Sequence, residues 1–140
     1  ACELGKRRKD SVAEERPDLG SATAIYNLMH PKLQDLDVEE FHILMLNQSF
    51  KLIKEECISH GGITETAVDI RIIIKDALLC NTTILAVCHN HPSGSKRPSR
   101  QDDQLTDRIR KACELMRIYF LDHVIITDGS YYSYREEGRL

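Results

Sequence analysis

The chain has no apolar stretch near the ~20 residues a membrane helix needs. Its run Ile84-Leu85-Ala86-Val87-Cys88 is far too short. No basic segment followed by an apolar one opens it, so no secretory signal is expected. Positive charge is not in excess, since 19 Lys+Arg against 22 Asp+Glu leave a net charge of −3. Such a balance argues against strong non-specific binding of nucleic acid, which rests on neutralising phosphates. The one basic cluster, Lys6-Arg7-Arg8-Lys9, reads as a solvated helix face or linker, with a phosphate contact as the alternative. The five cysteines, Cys2, Cys57, Cys80, Cys88 and Cys113, are odd in number and none shows CxxC spacing. That usage predicts no disulfide framework and a reducing cytoplasm, and the short apolar runs predict no membrane association. Cys80, Cys88 and Cys113 fall in apolar patterns and read as small core residues. The sequence also lacks internal repeats and low-complexity tracts.

What is present fits one soluble globular domain: 140 residues, 41% hydrophobic and 29% charged. Residues 1–20 read as a partial helix and linker, following a missing N-terminal region. Residues 21–140 read as the folded domain. Ser21 is a good N-cap for a helix through His30, which Pro31 is expected to stop. Phe41–Leu46 is apolar on both faces and reads as a buried strand, paired in a hairpin with Leu52–Ser59. Asp69 caps a helix over 70–80, and Thr82–Cys88 is another buried strand. An amphipathic helix runs from Ser99 to Arg117 with Leu105, Ile109, Ala112 and Met116 on one face. Phe120–Thr127, an Asp128-Gly129 turn and Tyr131–Tyr134 close the chain. This order predicts an α/β domain with a mixed β-sheet flanked by helices.

The chemistry lies between residues 89 and 102, where a buried strand gives way to a long helix. The carboxyl end of a strand is where α/β sheets commonly place their sites. His89 and His91 are two apart, so extended backbone turns them to one side. Two imidazoles so placed can share a cation, and Asp102, in the first turn of the next helix, can supply a carboxylate. Two nitrogens and one carboxylate oxygen suit Zn2+ and leave a fourth position for water, whose pKa a zinc ion lowers to about 7. Ser99-Arg100-Gln101-Asp102 also reads as a capping box without any metal, and the two readings coexist.

His-x-His, seven residues, Ser, two residues, Asp resembles the JAMM motif of the JAMM/MPN metalloenzymes. The longer string His-Asn-His-Pro-Ser-Gly, with Pro98-Ser99-Arg100 and Asp102, is similar to the RadC branch. So are Glu3-Leu4-Gly5-Lys6-Arg7, Phe41 to Asn47, His60-Gly61-Gly62, Asp122-His123-Val124-Ile125 and Tyr132-Ser133-Tyr134. The resemblance implies a JAMM/MPN, cytidine-deaminase-like fold for residues 21–140. It implies His89, His91 and Asp102 as zinc ligands and Ser99 as the serine that supports the tetrahedral intermediate. It also implies a catalytic glutamate near the first central strand, at Glu39 by RadC-type sequences or at Glu40 by JAMM peptidases. Their side chains point to opposite faces, so only one can serve, with Glu39 preferred. Two departures are the absence of a helix-hairpin-helix-type region, usual in RadC proteins, and Gly61-Gly62-Ile63-Thr64 where a glycine-threonine pair often stands.

The remaining histidines are not expected to bind metal. His30 sits at a helix end, His42 packs in a strand, and His60 adjoins a glycine turn. His123 lines the site or holds a ligand from behind, and Tyr132 and Ser133 border the cleft. The implied activity is a zinc-dependent metallohydrolase acting on a peptide or isopeptide. The alternatives are a DNA-repair factor, with nucleic acid bound through the missing N-terminal region, and a non-catalytic binding module. A zinc deaminase is excluded, because neither His-x-Glu nor Pro-Cys-x-x-Cys is present.

Overall fold

The structure is a computed structural model and describes residues 16–64 and 67–140. Expectations for the basic cluster, for Cys2 and for most of the linker lie outside the described residues. The elements are α1 (Ala22–Leu33), β1 (Glu40–Leu46), β2 (Leu52–His60), α2 (Ile70–Leu79), β3 (Ile84–Asn90), α3 (Arg100–Leu115), β4 (Tyr119–Thr127) and β5 (Ser130–Ser133). They form a five-stranded sheet ordered β2-β1-β3-β4-β5. It is mixed as expected: β3 and β4 pair parallel, and the other neighbours pair antiparallel.

Alternation along β1 and β3 builds two cores. Phe41, Ile43, Met45, Leu85 and Val87 face Ile73 and Ala77 of α2 and Leu105, Ile109 and Cys113 of α3. Leu44, Leu46, Ala86 and Cys88 face Ile25, Met29 and Leu33 of α1. Both faces are covered, which is why these strands read as unbroken apolar runs. Ile109 is fully buried and docks α3 on the sheet. Ile109→Ala is expected to cost about 2–5 kcal/mol of unfolding free energy, read from a denaturant titration.

Pro31 does not stop α1, contrary to expectation; the helix runs on to Leu33, with Gln34 N–H donating to His30 O at 2.9 Å. A proline inside a helix forfeits a backbone bond and costs ~3 kcal/mol. Burial of Met29 and Leu33 on either side offsets that cost. β3 runs to Asn90 rather than Cys88, because Asn90 stays in register with Ile126 of β4. Cys57, Cys88 and Cys113 are free thiols. Cys80 is disulfide-bonded, which the spacing did not indicate. Among the described residues no helix is long and apolar enough to cross a membrane.

Candidate metal centre

His89 sits near the end of β3, opposite Phe41 on one side and Ile125 on the other. The same parity that turns Leu85 and Val87 toward α3 turns His89 there too. His91 N–H still donates to Ile126 O at 3.0 Å, so the extended backbone carries one residue past the strand and His91 falls beside His89. The chain then reverses at Pro92-Ser93-Gly94, where Gly94 N–H donates to His91 O at 2.9 Å and Gly94 holds φ +88°. That left-handed backbone is what glycine permits.

Ser99 caps α3 in a full capping box. Asp102 N–H donates to Ser99 Oγ at 3.0 Å, and Ser99 N–H donates to Asp102 Oδ2 at 2.7 Å. An N-cap of this type is worth about 0.5–2 kcal/mol. With Leu105 and Ile109 pinned to the sheet, this start delivers a fully buried Asp102 to the strand end. His89 Nε2 lies 3.2 Å from Asp102 Oδ1, and His91 Nε2 lies 3.1 Å from Asp102 Oδ2. The three side chains therefore converge.

Polar accounting fixes how they face each other. Thr106 Oγ1 donates to Asp102 O at 2.7 Å, so its single proton is used. His123 Nδ1, at 2.5 Å from Thr106 Oγ1, must donate to that hydroxyl oxygen. His123 is wholly buried; burial, then the neighbouring His89, pushes its pKa well down and keeps it neutral. Its Nε2 is then an acceptor, and His89 Nδ1–H donates to it at 2.8 Å. His91 Nδ1–H donates to Ser95 O at 2.8 Å. Both ring systems thus spend their Nδ1 protons away from the site and present Nε2 to Asp102. His89 Nε2 and Asp102 Oδ1 are buried without a hydrogen-bond partner despite their proximity. Buried orphans of this kind call for an explanation, and a proton or a metal cation shared between His89 Nε2 and Asp102 Oδ1 would supply one.

Burial alone would raise the Asp102 pKa, but the two imidazoles and the Ser99 N–H hold it far below the carboxylate range. Burial works against a charged His91 as well; Asp102 and the Ser95 carbonyl outweigh it and raise its pKa.

Glu39 brings a carboxylate oxygen within 4.8 Å of donor nitrogens of both His89 and His91. Its backbone is held on three sides. Gly61 N–H donates to Glu39 O at 2.7 Å. Asn90 accepts from Glu40 N–H at 2.7 Å and donates to Val38 O at 2.9 Å. Glu40 is not brought to this cluster: its carboxylate accepts from His42 Nε2 at 2.9 Å and from His60 Nδ1. A cleft of about 490 Å³ opens beside the cluster, lined by Glu39, Ile63, His91, Ser95, Arg97 and Ser99 among others.

Tyr132 and Ser133 do not line that cleft. Ser133 is buried and donates to Asp122 Oδ2 at 2.5 Å, and Tyr132 accepts from Arg139 at 3.1 Å. Sequence reasoning missed Asn90 and Thr106. For Asn90 the available signal was its place between two histidines at a strand end. Thr106 gave none, being one polar position on an amphipathic helix.

The sheet order and the His-x-His and Asp pair at the β3–α3 junction define an α/β domain of the JAB/MPN class with a candidate metal centre. The chain belongs to the RadC family: the RadC-like JAB domain matches residues 19–139. It is 41% identical to a UPF0758 protein of Porphyromonas gingivalis over an alignment of 141 residues, covering 100% of this chain and 62% of that protein. A UPF0758 protein of Flavobacterium johnsoniae is 41% identical over 138 residues, 99% of this chain and 60% of the relative. UPF0758 protein STH371 of Symbiobacterium thermophilum is 35% identical over 133 residues, 95% of this chain and 57% of the relative. The chain spans about three-fifths of the length of these relatives.

Proposed function

We propose that this domain is a zinc-dependent hydrolase that cleaves an amide bond in a peptide or isopeptide. The observation that carries the reading is the pair of buried orphans, His89 Nε2 and Asp102 Oδ1, 3.2 Å apart, with His91 Nε2 3.1 Å from the other oxygen of the same carboxylate. Zinc held by His89, His91 and Asp102 would keep one position open and act as Lewis acid toward water and the substrate carbonyl. Glu39 takes a proton from the attacking water and returns it to the leaving nitrogen. Ser99 Oγ already accepts the Asp102 N–H. Its own proton makes no hydrogen bond among the described residues, so it can donate to the developing oxyanion. His123 and Thr106 hold His89 in the tautomer that offers Nε2. Asn90 and Gly61 hold Glu39 in place. The cleft beside Glu39 and His91 receives the substrate chain. A cytoplasmic setting belongs to this reading and rests on the free thiols, with the Cys80 disulfide against it.

Zinc-loaded protein is expected to cut members of a mixed peptide and isopeptide-linked library, read by mass spectrometry. Glu39→Gln is expected to keep its zinc and lose about 10²–10⁴ in rate. A wild type that binds zinc at this site and cuts nothing would sink the hydrolase reading and leave the metal centre standing.

Zinc affinity is expected to fall as pH falls, because the ligands must shed protons to bind. The sign follows from the shifts. The raised pKa of His91 makes protons compete from above its ordinary 6.5, whereas Asp102 stays ionised throughout. Competition titrations between pH 8 and 5 should show weakening that begins above that value. A flat profile would be inconsistent with imidazole ligation.

A further inference from the structure

Glu39, just before β1, lies beside His89 and His91, whereas Glu40, the first residue of β1, turns to His42 and His60. On the side of Glu40 a second set of donor atoms collects. Glu40, His42 and Cys57 each bring a ligand atom within 4.8 Å of the others. Glu40 and His60 are cross-strand partners, as are His42 and Cys57. The second pairing depends on a register shift between Phe41 and His42. In regular pairing His42 would face Ile58; the bulge replaces that isoleucine with a cysteine. Bulges commonly re-aim a side chain in this way.

His42 is also oriented from behind. Its Nδ1–H donates to Glu55 Oε2 at 2.5 Å, and Glu55 is held in turn by Lys32 Nζ at 3.1 Å. A carboxylate on one ring nitrogen, fixing the other toward a cluster of donors, is the usual support of a metal-binding histidine. Without a metal, His42 must carry two protons to bridge Glu55 and Glu40.

We propose that Glu40, His42, Cys57 and His60 form a second site for a divalent transition metal, on the sheet face opposite His89, His91 and Asp102. One imidazole, one carboxylate and one thiolate are ligands of the kinds zinc takes, and His60, bonded to Glu40 through Nδ1, stands beside them as the fourth. The metal replaces the proton between His42 Nε2 and Glu40 and the Cys57 thiol proton, which otherwise meets Ser59 O, and both leave to solvent, while the His60 proton moves from Nδ1 to Nε2 to free the ligating nitrogen. Burial, then the negative charge of Glu40, raises the Cys57 pKa; a cation among the same atoms reverses the second effect. His60 and Cys57 are solvent-exposed, which gives the ion a way in. The site ties β1 to β2 directly behind Glu39, yet it does not depend on the hydrolase reading.

Cobalt(II) separates the two sites, because thiolate ligation produces a near-ultraviolet charge-transfer band and His89, His91, Asp102 and Glu39 supply no sulfur. Metal-stripped protein titrated with Co2+ is expected to develop that band, saturating at one ion per chain. Cys57→Ser should abolish it without changing the circular dichroism spectrum, and His60→Gln should weaken the binding it reports by at least about tenfold. The double variant His89→Ala, Asp102→Asn should retain it. A wild type without the band, a band that survives Cys57→Ser, or a band lost in the double variant would each overturn the second site.

Discussion

His89→Ala is expected to weaken zinc binding at the β3–α3 site by more than about 100-fold, beyond the 10–100-fold that loss of a supporting residue costs. Calorimetric titration in a Cys57→Ser background counts this site alone. The fold should survive. His89 is fully buried, and its removal leaves His123 Nε2 without a donor, a penalty of about 1–3 kcal/mol. In the metal-free chain the same change removes the lone pair aimed at Asp102 Oδ1, which offsets part of that cost. The stabilisation that zinc confers by mass action on the folded chain, about 4 kcal/mol at a thousandfold excess over Kd, should vanish with the ligand. Asp102→Asn separates two roles of one side chain. Its amide oxygen can still accept the Ser99 N–H and keep the helix start, while the charge that would draw the metal is gone.

His123→Leu is the second large effect, although His123 touches no metal. The chain Thr106–His123–His89 dictates which nitrogen of His89 carries the proton. Leucine fills the space but accepts nothing, so His89 is free to place its proton on Nε2 and block the site. Zinc affinity should fall about 10–100-fold, and stability by about 1–3 kcal/mol for the stranded N–H. His123→Gln places an amide oxygen where Nε2 was and should recover most of the affinity. Nitrogen chemical shifts of His89 provide the readout that packing alone would not move: Nδ1–H in the wild type and in the glutamine variant, mixed or reversed in the leucine variant. Equal zinc affinity in all three proteins would remove His123 from the site's support.

The order of helices and strands was legible because each element carries its own signal. Apolar runs marked β1 and β3, Ser21, Asp69 and Ser99 marked helix starts, and Asp128-Gly129 marked the last turn. Pro31 misled because a local rule was read without the burial of Leu33 one half-turn beyond it. The convergence of His89, His91 and Asp102 was legible because two chain-local facts create it, strand parity and a capping box. Which of Glu39 and Glu40 lies beside the two histidines was not. It depends on Asn90 clamping the segment and on His42 and His60 drawing Glu40 to the other face, both contacts across strands. Cys57 was equally hidden, since a β-bulge decides what it faces and a bulge leaves no mark in composition.

The most direct test is an anomalous-scattering map at the zinc edge from crystals grown with zinc. It should show a peak about 2.0–2.2 Å from His89 Nε2, His91 Nε2 and an Asp102 oxygen, with Glu39 facing it. Density empty at that point in zinc-saturated crystals, with the three side chains turned apart, would contradict the account at its root.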